Sequence, residues 1–256
     1  MAAPPFDWVI LISAAGLLAM LLFVGVVKIW NVHLAMFRVA DDVANIRRET
    51  EVLFSQIQAL MALERTLQLS EPLPAVRGWA GSPDFLLAIA EQVRLRRPRT
   101  VVECGSGVST IVAARCLQLN SSGRVYSLEH EPAFAENTRR LLSKYGLTEW
   151  ATVIDAPLQT VTTETPWYSE QGLPENLEPI EMLVVDGPPA DVASLVRAPA
   201  LPRLRSRMAS RFIVMVDDAD RRDEIEMIRG WRLLEPRLKE SRLPAEKGLV
   251  ALELER

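Results

Sequence analysis

Residues 101–110 read Val-Val-Glu-Cys-Gly-Ser-Gly-Val-Ser-Thr, and this stretch decides the fold. An apolar run that carries Glu103 breaks at Gly105 and Gly107 before a second apolar segment begins. Glycine is favoured there because the backbone turns sharply and a ligand can approach the main chain closely. The pattern predicts a strand, a tight turn and a helix, with a nucleotide-like ligand at the turn. An ordinary strand-to-helix turn has the same pattern, so the conclusion depends on the rest of the chain.

The composition limits the function classes. The chain has 256 residues and a net charge of −4, which suits one α/β domain with an additional segment. It lacks the basic excess of nucleic-acid-binding proteins, so we expect no nucleic-acid partner. Two cysteines, Cys104 and Cys116, are too few for a disulfide framework and indicate a reducing compartment. With only His33 and His130, a histidine zinc site or a Ser-His-Asp hydrolase is poorly supported.

The N-terminal segment has the features of a membrane span. Residues 9–27 contain no charged side chain and would extend about 28 Å as a helix. Trp8 and Trp30 stand at the depths where indole rings prefer to lie. We therefore predict a short tail over 1–8 and a transmembrane helix over 9–30. A cleaved signal peptide is the alternative, but the leader lacks a basic start.

The charges around this segment predict its orientation. Lys28, Arg38, Arg47 and Arg48 follow the span, whereas only Asp7 and the amino terminus precede it. By the positive-inside rule, the C-terminal side then lies in the cytoplasm. The sequence thus predicts a single-pass protein whose main part is cytoplasmic.

Residues 31–70 predict a long amphipathic stalk helix, because they lack glycine and proline and repeat apolar residues at heptad spacing. The apolar heptad positions are Val32, Met36, Val39, Val43, Ile46, Leu53, Ile57, Leu60 and Leu67. A parallel coiled-coil homodimer and a helix packed on its own domain are both open, since Glu64 is unfavourable in a dimer seam. Pro72 and Pro74 end the helix, so the remaining domain is assigned to 71–256.

Short apolar runs that end in a carboxylate alternate with helical segments in this domain, which predicts a parallel sheet. The carboxylates at the predicted strand ends are Glu103, Glu129, Asp155, Asp186 and Asp217, and 238–243 with 249–254 form a closing hairpin. Strand ends share one edge of a parallel sheet, so these carboxylates are expected to converge on one cleft. Glu129, after the second strand, can accept hydrogen bonds from both hydroxyls of a ribose.

Five motifs carry a family resemblance: V-V-E-C-G-S-G-V-S-T, S-L-E-H, I-D-A-P-L, V-V-D-G-P-P and V-D-D-A-D-R. Together they resemble the class I S-adenosylmethionine-dependent methyltransferases, in particular the small bacterial group of the family-24 type, over residues 79–254. The resemblance implies a Rossmann-like, doubly wound, mostly parallel seven-stranded α/β sheet with a C-terminal antiparallel hairpin. With the predicted anchor, it implies an enzyme of the bacterial inner membrane.

The resemblance also assigns cofactor roles. It gives the amino-acid part of S-adenosylmethionine to the glycine turn, the ribose to Glu129, and the adenine to Asp155 with Ala156. The candidate cofactor-binding residues are Glu103, Gly105, Ser106, Gly107, Ser109, Glu129, His130, Asp155 and Ala156. An NAD-type Rossmann enzyme is an alternative, but Glu103 would repel a pyrophosphate and suits a positive α-amino group. A catalytically inactive membrane scaffold of the same fold is another, disfavoured by the intact motifs.

A second group of acids suggests a metal. Asp186, Asp217 and Asp218 would repel one another unless they were separated, protonated or neutralised by a cation, and oxygen ligands suit Mg²⁺ or Ca²⁺. The arrangement resembles the metal-dependent O-methyltransferases of the catechol type, although the pair here is Asp-Asp instead of Asp-Asn. This implies a metal that lowers the pKa of a substrate hydroxyl, with Asp186 as base. Salt bridges to Arg221 and Arg222 are the alternative.

The acceptor is predicted, from the resemblance and the anchor, to be a hydroxyl on a glycan or another small molecule. Trp167 and Tyr168 are candidates for an aromatic wall around it, and Arg197 for binding an acidic group on it. Loop packing of the two rings and an ordinary surface arginine are the alternatives.

Overall fold

The computed structural model describes residues 6–74, 81–160 and 165–255. The protein divides into two units, Met1–Phe54 and Ser55–Arg256. Helix α1, Phe6–Leu67, supplies the described part of the first unit and the start of the second. The sequence predicted such a helix, running without interruption from the apolar segment into the stalk.

In the first unit, α1 exposes its apolar side chains. It is long and apolar enough to cross a membrane by length and composition, and none of its most apolar window is buried; an N-terminal signal sequence meets the same criterion. The exposed heptad positions in this unit are Val32, Met36, Val39, Val43, Ile46 and Leu53. Nothing in a single chain tests their pairing, so the coiled coil stays a prediction.

The last turns of α1 belong to the second unit. Leu63 and Leu67 are fully buried there, in the same cluster as residues of the sheet. The Arg115 Nε–H donates to the Leu67 carbonyl at 2.7 Å, which satisfies one of the carbonyls left open at the helix end. The compact unit therefore begins at Ser55, earlier than the expected domain start at residue 71.

The second unit is an α/β domain. Its other helices are α2 (Pro83–Arg96), α3 (Val108–Asn120), α4 (Pro132–Lys144), α5 (Ala200–Leu204) and α6 (Arg222–Leu234). Its strands are β1 (Thr100–Cys104), β2 (Arg124–Glu129), β3 (Ala151–Asp155), β4 (Leu158–Gln159), β5 (Trp167–Tyr168), β6 (Ile180–Val185), β7 (Met208–Val216), β8 (Lys239–Leu243) and β9 (Leu249–Leu254).

Seven strands form one sheet in the order β3-β2-β1-β6-β7-β9-β8. Strand β1 is parallel to β2 and β6, whereas β9 is antiparallel to β7 and β8. The predicted Rossmann-like, mostly parallel sheet with an antiparallel C-terminal hairpin is confirmed. The direction of winding reverses between β1 and β6, and ligands of such sheets bind outside the carboxyl ends of the strands at this point.

Both faces of the sheet are covered, and successive side chains of a strand are buried on alternate faces. Val101 packs in one buried cluster with Ile111 of α3, and the next residue, Val102, packs in the other with Trp231 of α6. Successive residues of a strand point to opposite faces, so buried apolar side chains in succession require cover on both sides. This explains why the strands read as continuous apolar runs.

Two features were not predicted: the antiparallel pair β4–β5 and the short helix α5. Strands of two residues contain too little periodicity to be recognised, and α5 has only five residues. Both pack against the face of the sheet that α6 covers.

Asp84 links three elements of the second unit. Its Oδ2 accepts hydrogen bonds from Gln56 Nε2 in α1 at 2.6 Å and from the Glu246 N–H in the β8–β9 turn at 2.7 Å. Its Oδ1 accepts the Phe85 N–H at 2.8 Å. We expect Asp84→Ala to lower the free energy of unfolding by about 2 kcal/mol, because hydrogen bonds to a charged group are lost from three elements at once.

Urea denaturation of the full chain in detergent, followed by tryptophan fluorescence, measures this effect. Glu136→Ala, which removes an exposed carboxylate from α4, is the control. A midpoint for Asp84→Ala equal to that of the control would contradict the assigned role.

Candidate active site

The glycine turn lies between β1 and α3, as predicted. Gly105 has φ 103°, a conformation that other residues rarely adopt, and its N–H donates to the Leu128 carbonyl at 2.9 Å. Gly107 precedes the first turn of α3, and its N–H donates to Thr110 Oγ1 at 3.0 Å. No atom of the described residues lies within 4 Å of where a Cβ on Gly107 would be, so these residues leave the main chain open to a ligand there.

Glu103 is held beneath this turn and is only 2% exposed. Its Oε2 accepts hydrogen bonds from Thr110 Oγ1 at 2.6 Å and from Ser127 Oγ. Burial raises the pKa of Glu103, and hydrogen bonds from Ser109, Ser127 and Thr110 oppose that rise. Sequence reasoning missed Thr110 and Ser127 as partners, although both stand inside the quoted motifs.

Glu129 stands at the end of β2, next to the turn, and is 5% exposed. Its Oε2 accepts a hydrogen bond from Ser106 Oγ at 2.9 Å, and its Oε1 accepts the Glu131 N–H at 3.0 Å. Ser106 Oγ also lies 3.1 Å from Thr138 Oγ1. The structure therefore brings together the turn and the carboxylate of the second strand, as the sequence predicted.

His130 lies between Glu129 and the aromatic pair. Its Nδ1 is 3.2 Å from Glu129 Oε1, and its ring meets that of Tyr168 edge-on, with centroids 5.9 Å apart. Trp167 and Tyr168 are 4% and 2% exposed, and both belong to the core. Of the two expectations for these residues, an aromatic wall and loop packing, the burial of both rings in the core agrees with packing.

Asp155 and Ala156 follow β3. Asp155 is exposed, and its Oδ2 lies 2.7 Å from an Arg139 guanidinium nitrogen. Ala156 is buried, and its N–H donates to the Glu129 carbonyl at 2.7 Å. The two residues therefore lie at the same sheet edge as Glu129, with the Asp155 carboxylate engaged by α4.

The other acids converge as predicted. Ligand oxygens of Asp186, after β6, and of Asp217 and Asp218, after β7, all lie within 4.8 Å of one another. Asp217 is 1% exposed, and its Oδ1 has no hydrogen-bond partner within the described part of the chain. A buried, unpartnered carboxylate oxygen beside two more carboxylates fits a hard divalent cation, which takes oxygen ligands.

Comparisons with known proteins agree with this geometry. A family model described as a methyltransferase domain matches residues 102–219, from β1 to just beyond β7. The domain is a class I methyltransferase. No curated protein matches the chain.

Three solved structures share the methyltransferase fold. The SAH-bound methyltransferase PaMTH1 of Podospora anserina is 16% identical with TM-score 0.54, covering 77% of this chain and 88% of its own. The O-methyltransferase TomG of Streptomyces achromogenes, in complex with SAM, is 18% identical with TM-score 0.51, covering 78% and 88%. The O-methyltransferase of Bacillus cereus, in complex with SAH, is 22% identical with TM-score 0.51, covering 75% and 90%. At these identities the likeness shows the fold alone.

Arg197 of the methyltransferase domain is buried beside the acid cluster and contacts it. It is 4% exposed, and its guanidinium donates to the carbonyls of Asp186 at 3.1 Å and Asp217 at 3.3 Å. It also lies 3.2 Å from Asp218 Oδ2 and 3.6 Å from Glu224 Oε1. Arg197 is therefore neither a surface residue nor free to bind an acceptor, which corrects both expectations; sequence reasoning missed its partner Glu224.

The alternative of salt bridges applies to one acid only. Asp218 Oδ2 lies 2.8 Å from Arg221 Nη1, as that alternative expected. Asp217 has no ion pair within 4.0 Å in the ranges that the structure describes. Burial and the charge of Asp217 hold the pKa of Asp186 well above its usual range, although Arg197 lowers it in part.

The same physics predicts how pH acts on Asp217. Burial and the charge of Asp218 raise the pKa of Asp217 from 3.8 to about 6. The folded protein keeps a proton that the unfolded chain has released, so the free energy of unfolding falls as pH rises through 6. Between pH 5 and pH 8, the free energy of unfolding of the metal-free protein should fall by about 1 kcal/mol more than that of the Asp217→Asn variant.

Urea titrations of the full chain in detergent with EDTA, at both pH values, test this prediction. Asp191→Asn removes an exposed carboxylate near the same acids and should behave like the unmodified protein. If the free energy of unfolding falls equally between the two pH values in the unmodified protein and in Asp217→Asn, the raised pKa of Asp217 is contradicted.

Proposed function

We propose that this protein is a membrane-anchored enzyme that transfers the methyl group of S-adenosylmethionine to a hydroxyl oxygen of a glycan or another small acceptor, with help from a divalent cation. The observation that carries the proposal is the group Asp186, Asp217 and Asp218, at the sheet edge that also bears Glu103 and Glu129. One edge of the sheet then bears groups suited to a cationic methyl donor and groups suited to a hydroxyl acceptor.

The proposed donor site consists of the turn and the two strand ends beside it. The buried carboxylate of Glu103 suits the positive α-amino group of the donor, and Glu129 suits two ribose hydroxyls. Ser106, Ser109, His130, the turn at Gly105 and the open main chain at Gly107 would complete the site. Support comes from the solved relatives, of which TomG holds SAM and the Bacillus cereus enzyme holds SAH. For the adenine we propose Ala156 and Asp155, whose carboxylate would first leave Arg139.

The proposed chemistry uses the three aspartates. Asp186, Asp217 and Asp218 would hold Mg²⁺, which when bound supplies a positive charge that lowers the pKa of a neighbouring hydroxyl. Asp186, in the same group of acids, takes the hydroxyl proton as general base. Chelation by EDTA should abolish methyl transfer and added Mg²⁺ restore it. Full activity in EDTA would remove the metal from the proposal.

The acceptor can be sought directly. Mass spectrometry of membrane glycans and lipids from cells that express Glu103→Ala should show one species lighter by a methyl group than in cells with the unmodified protein. Glu136→Ala, on the exposed face of α4, is the matched control and should leave the profile unchanged. Identical mass spectra of glycans and lipids in all three strains would contradict the proposal of a glycan or lipid acceptor.

Titration calorimetry separates this proposal from the alternatives. A methyltransferase should bind both S-adenosylmethionine and S-adenosylhomocysteine, a scaffold neither, and an NAD-type enzyme NAD instead.

We also propose that the exposed heptad stripe joins two chains as a parallel coiled coil in the cytoplasm, next to a membrane span over residues 9–30. The support is an apolar stripe on a continuous helix, which stays exposed among the described residues of the first unit. Crosslinking of membranes should yield a dimer that is lost when Ile46 and Leu53 are both replaced by Asn. An unchanged crosslinked size in that variant would contradict the coiled coil.

A further inference from the structure

The acid cluster opens into a cleft of about 300 Å³ at the carboxyl ends of β6 and β7. Its lining includes Asp186, Asp217 and Asp218 together with three cations, Arg197, Arg221 and Lys247. Negatively and positively charged side chains therefore line the same cleft.

Two of the cations are committed to the protein. Arg197 is buried behind the acids and holds their carbonyls, and it lies 3.2 Å from Asp218. Arg221 lies 2.8 Å from the same carboxylate, and its side chain is 46% exposed. Both charges are thus used within the molecule, and neither is available to a ligand without loss of an ion pair.

Lys247 differs from both. Its side chain is exposed, and within residues 6–74, 81–160 and 165–255 no carboxylate oxygen lies within 4.0 Å of its ammonium group. Other exposed lysines of the domain are paired: Lys144 with Glu71 and Lys239 with Glu255, at 2.7 and 2.5 Å. Lys247 lines the cleft without a direct ion pair, although four carboxylates, Asp186, Asp191, Asp217 and Asp218, line the same cleft. At longer range its charge lowers the pKa of Asp217 in part.

The turn that carries Lys247 is held firmly in place. The Asp220 N–H donates to the Lys247 carbonyl at 3.3 Å, and the Ala219 N–H donates to the Gly248 carbonyl at 3.0 Å. Gly248 has φ 77°, and a Cβ there would lie 2.4 Å from the Asp220 carboxyl carbon, so only glycine fits. The segment that follows the acids therefore anchors the turn, and the position of the Lys247 main chain relative to Asp217 and Asp218 is defined.

We propose that Lys247 binds an anionic group of the acceptor, a carboxylate or a phosphate, that lies close to the hydroxyl to be methylated. The inference rests on the proposed function and deepens it by naming the acceptor class. An ammonium group binds either anion through charge-assisted hydrogen bonds. A neutral acceptor would leave the Lys247 ammonium group without a directly contacting anion, and the acids alone would repel an anionic acceptor. Lys247 thus selects acceptors that carry a negative charge beside the hydroxyl.

The test uses the full chain in detergent, tritiated S-adenosylmethionine and an acceptor extract from cells that lack the protein. The labelled product should bind to an anion-exchange resin. Phosphatase treatment identifies the anion: released product indicates a phosphate, and product that stays bound indicates a carboxylate. A product that flows through the resin untreated overturns the inference. If the unmodified protein labels nothing, the proposed function fails, and the inference fails with it.

Variants provide the second measurement. Lys247→Gln should raise KM for the purified acceptor about tenfold or more, with kcat and the affinity for S-adenosylmethionine close to those of the unmodified protein. Lys239→Gln, at the other end of the same hairpin, is the matched control. A readout without turnover is the rate of Lys247 acetylation, which the purified acceptor should slow. Equal KM values for the two variants, or unprotected Lys247, would contradict the inference while leaving the methyltransferase intact.

Discussion

Replacing Asp186 with Asn is expected to lower kcat for methyl transfer by about 10²–10⁴-fold, the range usually lost when a general base is removed. The substitution keeps the shape of the side chain but removes the group that accepts the hydroxyl proton. It also removes one of three carboxylates within 4.8 Å of one another, so repulsion falls and the variant should fold. Binding of S-adenosylmethionine should change little, because Glu103 and Glu129 are unaltered.

Rates with the purified acceptor and calorimetric titration of the donor measure the two effects separately. Asp191→Asn, an exposed acid lining the same cleft, is the control and should keep its activity. In the unmodified protein the rate should rise with pH until the base is fully deprotonated, because the base accepts a proton only in that form. A variant with unchanged kcat would show that Asp186 is not the base.

Replacing Glu129 with Ala is expected to weaken binding of S-adenosylmethionine and S-adenosylhomocysteine by about 100-fold, since two charge-assisted hydrogen bonds to the ribose are lost. In the structure Glu129 Oε2 already accepts a hydrogen bond from Ser106, and Oε1 accepts one from the Glu131 N–H. The carboxylate is therefore positioned before the donor binds.

Calorimetric titration with both ligands tests the change in affinity. Glu136→Ala is the control, and Glu129→Gln should lie between it and Glu129→Ala, because an amide can accept but carries no charge. Equal dissociation constants for Glu129→Ala and the control would exclude Glu129 from the donor site.

Most of the fold was predictable from local features of the sequence. The strands appeared as apolar runs, the helices as separate segments, and the turn at Gly105 as a place where the backbone adopts a positive φ. The convergence of Glu103, Glu129, Asp186 and Asp217 followed from topology, because parallel strands end at one edge of a sheet. The short pair β4–β5 was missed because a strand of two residues is too short to show an alternation of apolar and polar side chains.

The site was less predictable, since partners distant in sequence determine each environment. Arg197 was expected at an acceptor or at the surface, but it is buried against carbonyls of two strand ends. For Trp167 and Tyr168 the sequence left an aromatic wall and loop packing open, and the core encloses both rings. No local sequence pattern around these residues indicates that their side chains are buried.

By itself, the sequence determined the strand-turn-helix order, the chemical character of the strand ends and the apolar N-terminal helix, because each depends on residues close together in the chain. Only the tertiary structure decided that Asp218 pairs with Arg221 while Asp217 Oδ1 lies buried without a partner in the described chain. It also decided that Lys247 reaches the cleft of Asp186 across 61 residues of sequence (247 − 186). Burial and charge at these positions are sums over distant neighbours, which become defined only when the sheet assembles.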